Sequence, residues 1–79
     1  MEVFKTPIEG LLVIEPKVFR DARGYFVEMY NEKRYREAGV DATFVQDNQS
    51  CSLFGVVRGL HFQRPPYTQA KLVSCVEGR

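Results

Sequence analysis

The chain has 79 residues, 44% of them hydrophobic and 27% charged, and 11 basic against 10 acidic side chains leave a net charge of +1. That length holds one small domain, which would bury only roughly 60% of the surface its unfolded form exposes. The hydrophobic content is too high for a disordered tail, and the near-zero charge provides no long-range field toward nucleic acid or an anionic membrane. No apolar run approaches the length that spans a bilayer. The opening residues, Met1-Glu2-Val3-Phe4-Lys5-Thr6-Pro7, lack the basic and apolar regions of a signal peptide. A cytoplasmic protein is the expectation.

In chain order, the first strand signal is the β-branched and leucine-rich run over residues 10–19, containing Leu11, Leu12, Val13 and Ile14 and interrupted by Pro16. The proline predicts that its second half is an edge or a bend. Asp21-Ala22-Arg23-Gly24 reads as a turn, with Gly24 able to take a positive φ. A second strand is predicted over 25–30, with Tyr25, Val27 and Met29 on one side and Phe26, Glu28 and Tyr30 on the other. One short helix is predicted near 31–38: Asn31 suits the N-cap, Glu32 complements the dipole of the first turn, and Gly39 stops the helix at C′. Three further strands are expected at about 43–52, 56–63 and 70–76, separated by Gly55 and by Arg64-Pro65-Pro66-Tyr67. Nothing repeats and no linker divides the chain, so residues 1–79 read as a single domain. The pattern is mainly β, an antiparallel sandwich or barrel.

Cys51 and Cys75 are too few for a disulfide scaffold. With no CxxC or HxH spacing and a single histidine, His61, they form no metal site either. Both are expected as buried or half-buried strand thiols.

The chemistry is carried by polar groups in strands that ought to be half-buried. Period-2 alternation places Gln46, Asn48, Ser50 and Ser52 on one face, a row of neutral donors and acceptors suited to a sugar. A solvent-exposed strand face is the plainer reading of that row taken alone. In Val57-Arg58-Gly59-Leu60-His61-Phe62-Gln63, Arg58 and His61 differ by an odd number of positions, so a bulge at Gly59 is needed to bring both to one side. A lone histidine among apolar neighbours is more often a satisfied core residue than a catalyst. Arg58, and Lys71 on the following strand, shift that balance, because three basic groups on adjacent strands repel one another unless an anion sits among them.

Four elements then occur in order. Phe19-Arg20-Asp21-Ala22-Arg23-Gly24-Tyr25-Phe26-Val27-Glu28 carries the pattern F-x-D-x-R-G-x-F-x-E, and Phe44-Val45-Gln46-Asp47-Asn48-Gln49-Ser50 carries F-x-Q-D-N-x-S. Gly55-Val56-Val57-Arg58-Gly59-Leu60-His61-Phe62-Gln63 carries G-x-x-R-G-L-H-x-Q, and Gln69-Ala70-Lys71-Leu72-Val73 carries Q-x-K-L-V. Together they resemble the N-terminal portion of the dTDP-4-dehydrorhamnose 3,5-epimerase family.

The resemblance implies a cupin-type (jelly-roll) antiparallel β-barrel working as a homodimer with strand exchange at the site. It implies an isomerase acting on a dTDP-linked 4-keto-6-deoxy sugar in rhamnose biosynthesis, with neither nucleic acid nor a membrane as partner. Under it, His61 is the base that removes protons beside the ketone, and Lys71 is the cation that stabilises the enolate oxygen. Arg58 holds the substrate near its diphosphate, Gln46 and Asn48 contact the substrate, and Phe19 is an aromatic wall beside the base. Arg23 and Glu28 contact the nucleotide from a neighbouring subunit. No metal or nicotinamide cofactor is called for, because the ketone is itself the electron sink.

The family's proton-returning tyrosine and the carboxylate that supports the histidine lie downstream of Arg79. The chain is therefore expected to be incomplete relative to its own fold, or completed by another polypeptide. Two other readings stay open: a sugar-nucleotide-binding fragment without catalysis, and a related nucleotide-keto-sugar epimerase or isomerase. A small nucleic-acid-binding barrel is disfavoured, because aromatic and basic residues are not interleaved along one predicted face.

Overall fold

The computed structural model describes residues 1–79, as four antiparallel strands in two two-stranded sheets and one short helix. The architecture is mainly β. By internal contacts the chain divides into two units, Met1–Asp41 and Ala42–Arg79, and all regular secondary structure lies in the first.

Strand β1 (Glu2–Lys5) pairs antiparallel with β2 (Leu12–Glu15), in the register Val3 to Ile14 and Phe4 to Val13. The sequence pattern does not announce β1, whose four residues hold only two apolar side chains. Its pairing depends on the connection: Thr6 Oγ1 accepts from the Ile8 amide at 3.2 Å and donates to the Leu11 carbonyl at 2.9 Å. Gly10 turns the chain with φ 83°.

The bend expected at Pro16 separates β2 from β3 (Val18–Asp21). Strand β3 pairs with β4 (Gly24–Val27), setting Phe19 opposite Phe26 and Arg20 opposite Tyr25. Tight two-residue hairpin loops usually need positive φ at their central residues. Here neither Ala22 nor Arg23 has it, and Gly24 takes φ 131° instead. Strand β4 stops at Val27, so Glu28, Met29 and Tyr30 leave the ladder earlier than the alternation predicts.

Helix α1 (Glu32–Glu37) forms where its capping signals place it. The Asn31 side chain accepts from the Arg34 amide at 3.0 Å. At the other end the Val40 amide bonds the Tyr35 carbonyl at 2.8 Å and the Gly39 amide bonds the Arg36 carbonyl at 3.1 Å. Those two bonds make a Schellman ending, with Gly39 at φ 104°. Tyr35, 3% exposed, is the buried hydrophobic residue of the chain. Its ring meets Tyr30 edge-to-face at 5.0 Å.

Residues 42–79 differ from expectation. None of the strands predicted at 43–52, 56–63 and 70–76 forms a ladder. Their separators do act as turns: the Val56 amide bonds the Leu53 carbonyl at 3.1 Å, and the Tyr67 amide bonds the Arg64 carbonyl at 2.8 Å. Alternation records which face a residue would take, but a strand exists only when another backbone accepts and donates to it. Val57, Leu60, Phe62 and Val73 are accordingly exposed. Cys51 and Cys75, expected inside strands, are free and exposed for the same reason.

Candidate active site

His61 and Lys71 line one recess of about 600 Å³, together with Phe62, Gln63, Thr68 and Gln69. The hydrogen-bonded turn between Arg64 and Tyr67 explains how. It folds 61–63 back beside 68–71, so a basic ring and an ammonium ten positions apart in sequence face the same space. Gln63 and Gln69 add amides that both donate and accept, and Thr68 adds a hydroxyl. These three are not singled out by sequence reasoning, although the glutamines stand inside the quoted patterns. Thr68 has no signal beyond its place beside the turn.

Arg58 does not line this recess. Its Nη2 donates to the Cys51 carbonyl at 3.1 Å. The bulge expected at Gly59 has no ladder to interrupt, although Gly59 does take φ 135°. Gln46 Nε2 donates to Asn48 Oδ1 at 3.2 Å, in a segment that forms no strand.

In the first unit, the β3–β4 hairpin forms a second recess of about 440 Å³ lined by Phe19, Arg20, Asp21, Arg23, Tyr25 and Phe26, with Gly24 at the turn. Two of its lining residues, Arg20 and Arg23, are cations, and Lys17 stands beside the hairpin without lining the recess. Lys17 Nζ stands 5.0 Å from the Phe19 ring centroid, and the Arg20 guanidinium stands 5.5 Å from that of Tyr25. Arg23 donates from Nη2 to Asp21 Oδ2 at 2.6 Å, and its amide donates to Asp21 Oδ1 at 2.8 Å. Those bonds hold the Asp21 carboxyl below its usual range and raise Arg23. Such a surface offers π-faces to a planar ring and positive charge to a phosphate.

Glu28, one residue beyond β4, accepts from Arg34 Nη1 at 2.7 Å. The adjacent Met29 carbonyl accepts from the Tyr35 hydroxyl at 2.7 Å. Burial raises the Tyr35 phenol above its ordinary range, with Glu28 and Tyr30 adding to the effect.

Comparison with known proteins follows the same residues. A family model described as dTDP-4-dehydrorhamnose 3,5-epimerase matches residues 5–79. A protein of that name from Shigella flexneri is 56% identical over 79 residues, covering 99% of this chain and 44% of its own length. One from Methanothermobacter thermautotrophicus is 51% identical over 74 residues, covering 94% of this chain and 40% of its own. One from Pseudomonas aeruginosa is 44% identical over 79 residues, covering 99% and 43% respectively. The chain thus spans less than half the length of these curated relatives. No solved structure matches it significantly.

Proposed function

Because this chain belongs to the dTDP-4-dehydrorhamnose 3,5-epimerase family, we propose that it works as such an isomerase, inverting C3 and C5 of dTDP-4-dehydro-6-deoxyglucose on the route to dTDP-L-rhamnose. The mainly β, antiparallel architecture is consistent with a cupin-type fold. The observation that carries the proposal is the shared recess of His61 and Lys71.

A C–H bond beside a ketone is acidic only if charge gathering on the carbonyl oxygen is stabilised, and a positioned ammonium does that, although His61 and Lys71 are both exposed in this structure. In this reading neutral His61 takes the proton, the C–H electron pair moves into the ring, and Lys71 donates to the resulting enolate oxygen. A proton returned to the opposite face, by the tyrosine that the family resemblance places downstream of Arg79, restores the ketone and inverts the carbon, and His61 gives its own proton up to water before the next cycle. The same steps at the second carbon complete the reaction with no net oxidation or reduction, so the ketone serves as electron sink throughout. Imidazole is suited to repeated transfers of this kind because it titrates near neutrality.

The remaining roles are those that the family resemblance implies. Arg58 would hold the substrate near its diphosphate, exchanging the Cys51 carbonyl for an anionic oxygen. Gln46 and Asn48, already hydrogen-bonded to each other, would meet sugar hydroxyls. Phe19 would supply an aromatic wall. Arg23 and Glu28 would contact the nucleotide bound to a partner subunit, in a homodimer that exchanges strands. The exposure of Phe19 and Phe26, paired across the β3–β4 hairpin, suits a face that a second subunit completes. Two free, exposed cysteines suit the reducing cytoplasm. No helix is long and apolar enough to cross a membrane.

Deuterium wash-in tests the proposal. With dTDP-4-dehydro-6-deoxyglucose in heavy water, the protons at C3 and C5 should exchange, and His61→Ala should slow this by roughly 10²–10⁴-fold. Lys71→Met should slow it by about 10²–10³-fold through loss of the oxyanion donor. Unchanged exchange in His61→Ala would overturn the assignment of the base. Substrate binding without any exchange would leave a sugar-nucleotide-binding protein in place of an epimerase.

A further inference from the structure

We infer that Arg34 is a positioning residue that sets the Glu28 carboxylate for a nucleotide ligand, an inference that rests on the nucleotide-contacting role proposed for Glu28. Helix α1 grips the segment following β4 at two consecutive residues. Arg34 Nη1 donates to Glu28 Oε1 at 2.7 Å, and the Tyr35 hydroxyl donates to the Met29 carbonyl at 2.7 Å. Both grips are rooted. The Arg34 amide is tied to the Asn31 cap at 3.0 Å, and the Tyr35 side chain is 3% exposed and packed edge-to-face on Tyr30.

This arrangement solves two problems for a carboxylate meant to meet a nucleotide. Glu28 lies outside the β4 ladder, so strand pairing does not fix its direction. A guanidinium on a capped helix supplies that direction, at one oxygen. The other oxygen, Oε2, is turned over to a hydroxyl or N–H donor of the ligand. The second problem is charge, since a lone carboxylate repels a nucleoside diphosphate. An arginine at 2.7 Å offsets that charge while leaving the acceptor in place. Arg34 itself does not touch the ligand; it acts through Glu28. Side-chain exposures of 62% for Arg34 and 41% for Glu28 keep the effect modest.

The experiment is calorimetric titration of the protein with dTDP alone, for the unmodified chain, Arg34→Ala, Arg34→Lys, Glu28→Gln and the Arg34→Ala/Glu28→Gln double variant. Alanine is the best helix former and the Asn31 cap uses only the backbone of Arg34, so the fold survives the substitution. Arg34→Ala should weaken dTDP binding roughly two- to five-fold, the range expected of an exposed ion pair, without moving the thermal midpoint. Arg34→Lys should restore part of the loss, and the double variant should bind no worse than Glu28→Gln alone. Weakened binding in Glu28→Gln with none in Arg34→Ala, or additive losses in the double variant, overturns the positioning role and leaves the Glu28 assignment standing. Unchanged binding in Glu28→Gln removes the Glu28 assignment, and the positioning role falls with it.

Discussion

Asp21 shows how a single side chain closes the β3–β4 turn. Its carboxylate accepts from the Arg23 amide and from the Arg23 guanidinium, and these bonds depress its pKa below the ordinary 3.8. A depressed carboxylate contributes stability that is present above the unfolded pKa and is lost as pH falls through the folded one. The hairpin should therefore be unaffected near neutrality and loosen only under acid, below about pH 4. The Arg23 amide resonance, followed by NMR, should report that loosening, and Asp21→Asn should flatten its acid response. Tyr35 carries the opposite sign. Its raised pKa means its contribution is complete below pH 10.0 and disappears as pH climbs through the folded value. Tyrosinate absorbance should show a phenol ionising above the ordinary range, and Tyr35→Phe should remove that step. The same substitution should cost about 1 kcal/mol, through loss of the hydrogen bond to Met29.

At the scale of elements, α1 is the part most legible in the sequence because both of its ends are chemical signals. An asparagine whose side chain reaches the third amide and a glycine free to take positive φ specify a start and a stop without tertiary help. Asn31→Ala should lower stability by roughly 1 kcal/mol. Gly39→Ala should lower it by about 1–2 kcal/mol, since alanine resists the left-handed region. A methyl group at Gly39 would meet Leu12 Cδ1 at 3.8 Å, an ordinary van der Waals distance, which leaves conformation and not crowding as the cause. Denaturant titration of each variant checks these values. The hairpins are half legible. Pro16 and Asp21–Gly24 mark the breaks around β3, but β1 depends on a partner strand that lies beyond a turn and on the Thr6 bonds that bring it there.

Across the second unit every residue from 45 to 79 is exposed, apolar ones included. The apolar sequence is present, but within these residues it has little to pack against. Amides of residues 45–79 should exchange hydrogen rapidly, with Val56 and Tyr67 slowed by their turns, while the Val40 amide in the helix ending is better protected. Protection spread across 43–76 in the isolated chain would contradict this picture. By itself the sequence determined what local chemistry specifies: the helix and its caps, the turns at Asp21, Gly55 and Arg64, the mainly β character, and the motifs that carry the family. Only the tertiary structure decided that the turn at Arg64 puts His61 and Lys71 into one recess, that Arg58 bonds Cys51 instead, and that Arg34 holds Glu28. The physical reason is the range of the forces involved. Caps and turns are satisfied within a few residues, whereas a ladder, a recess or an ion pair needs a partner whose position no local pattern encodes.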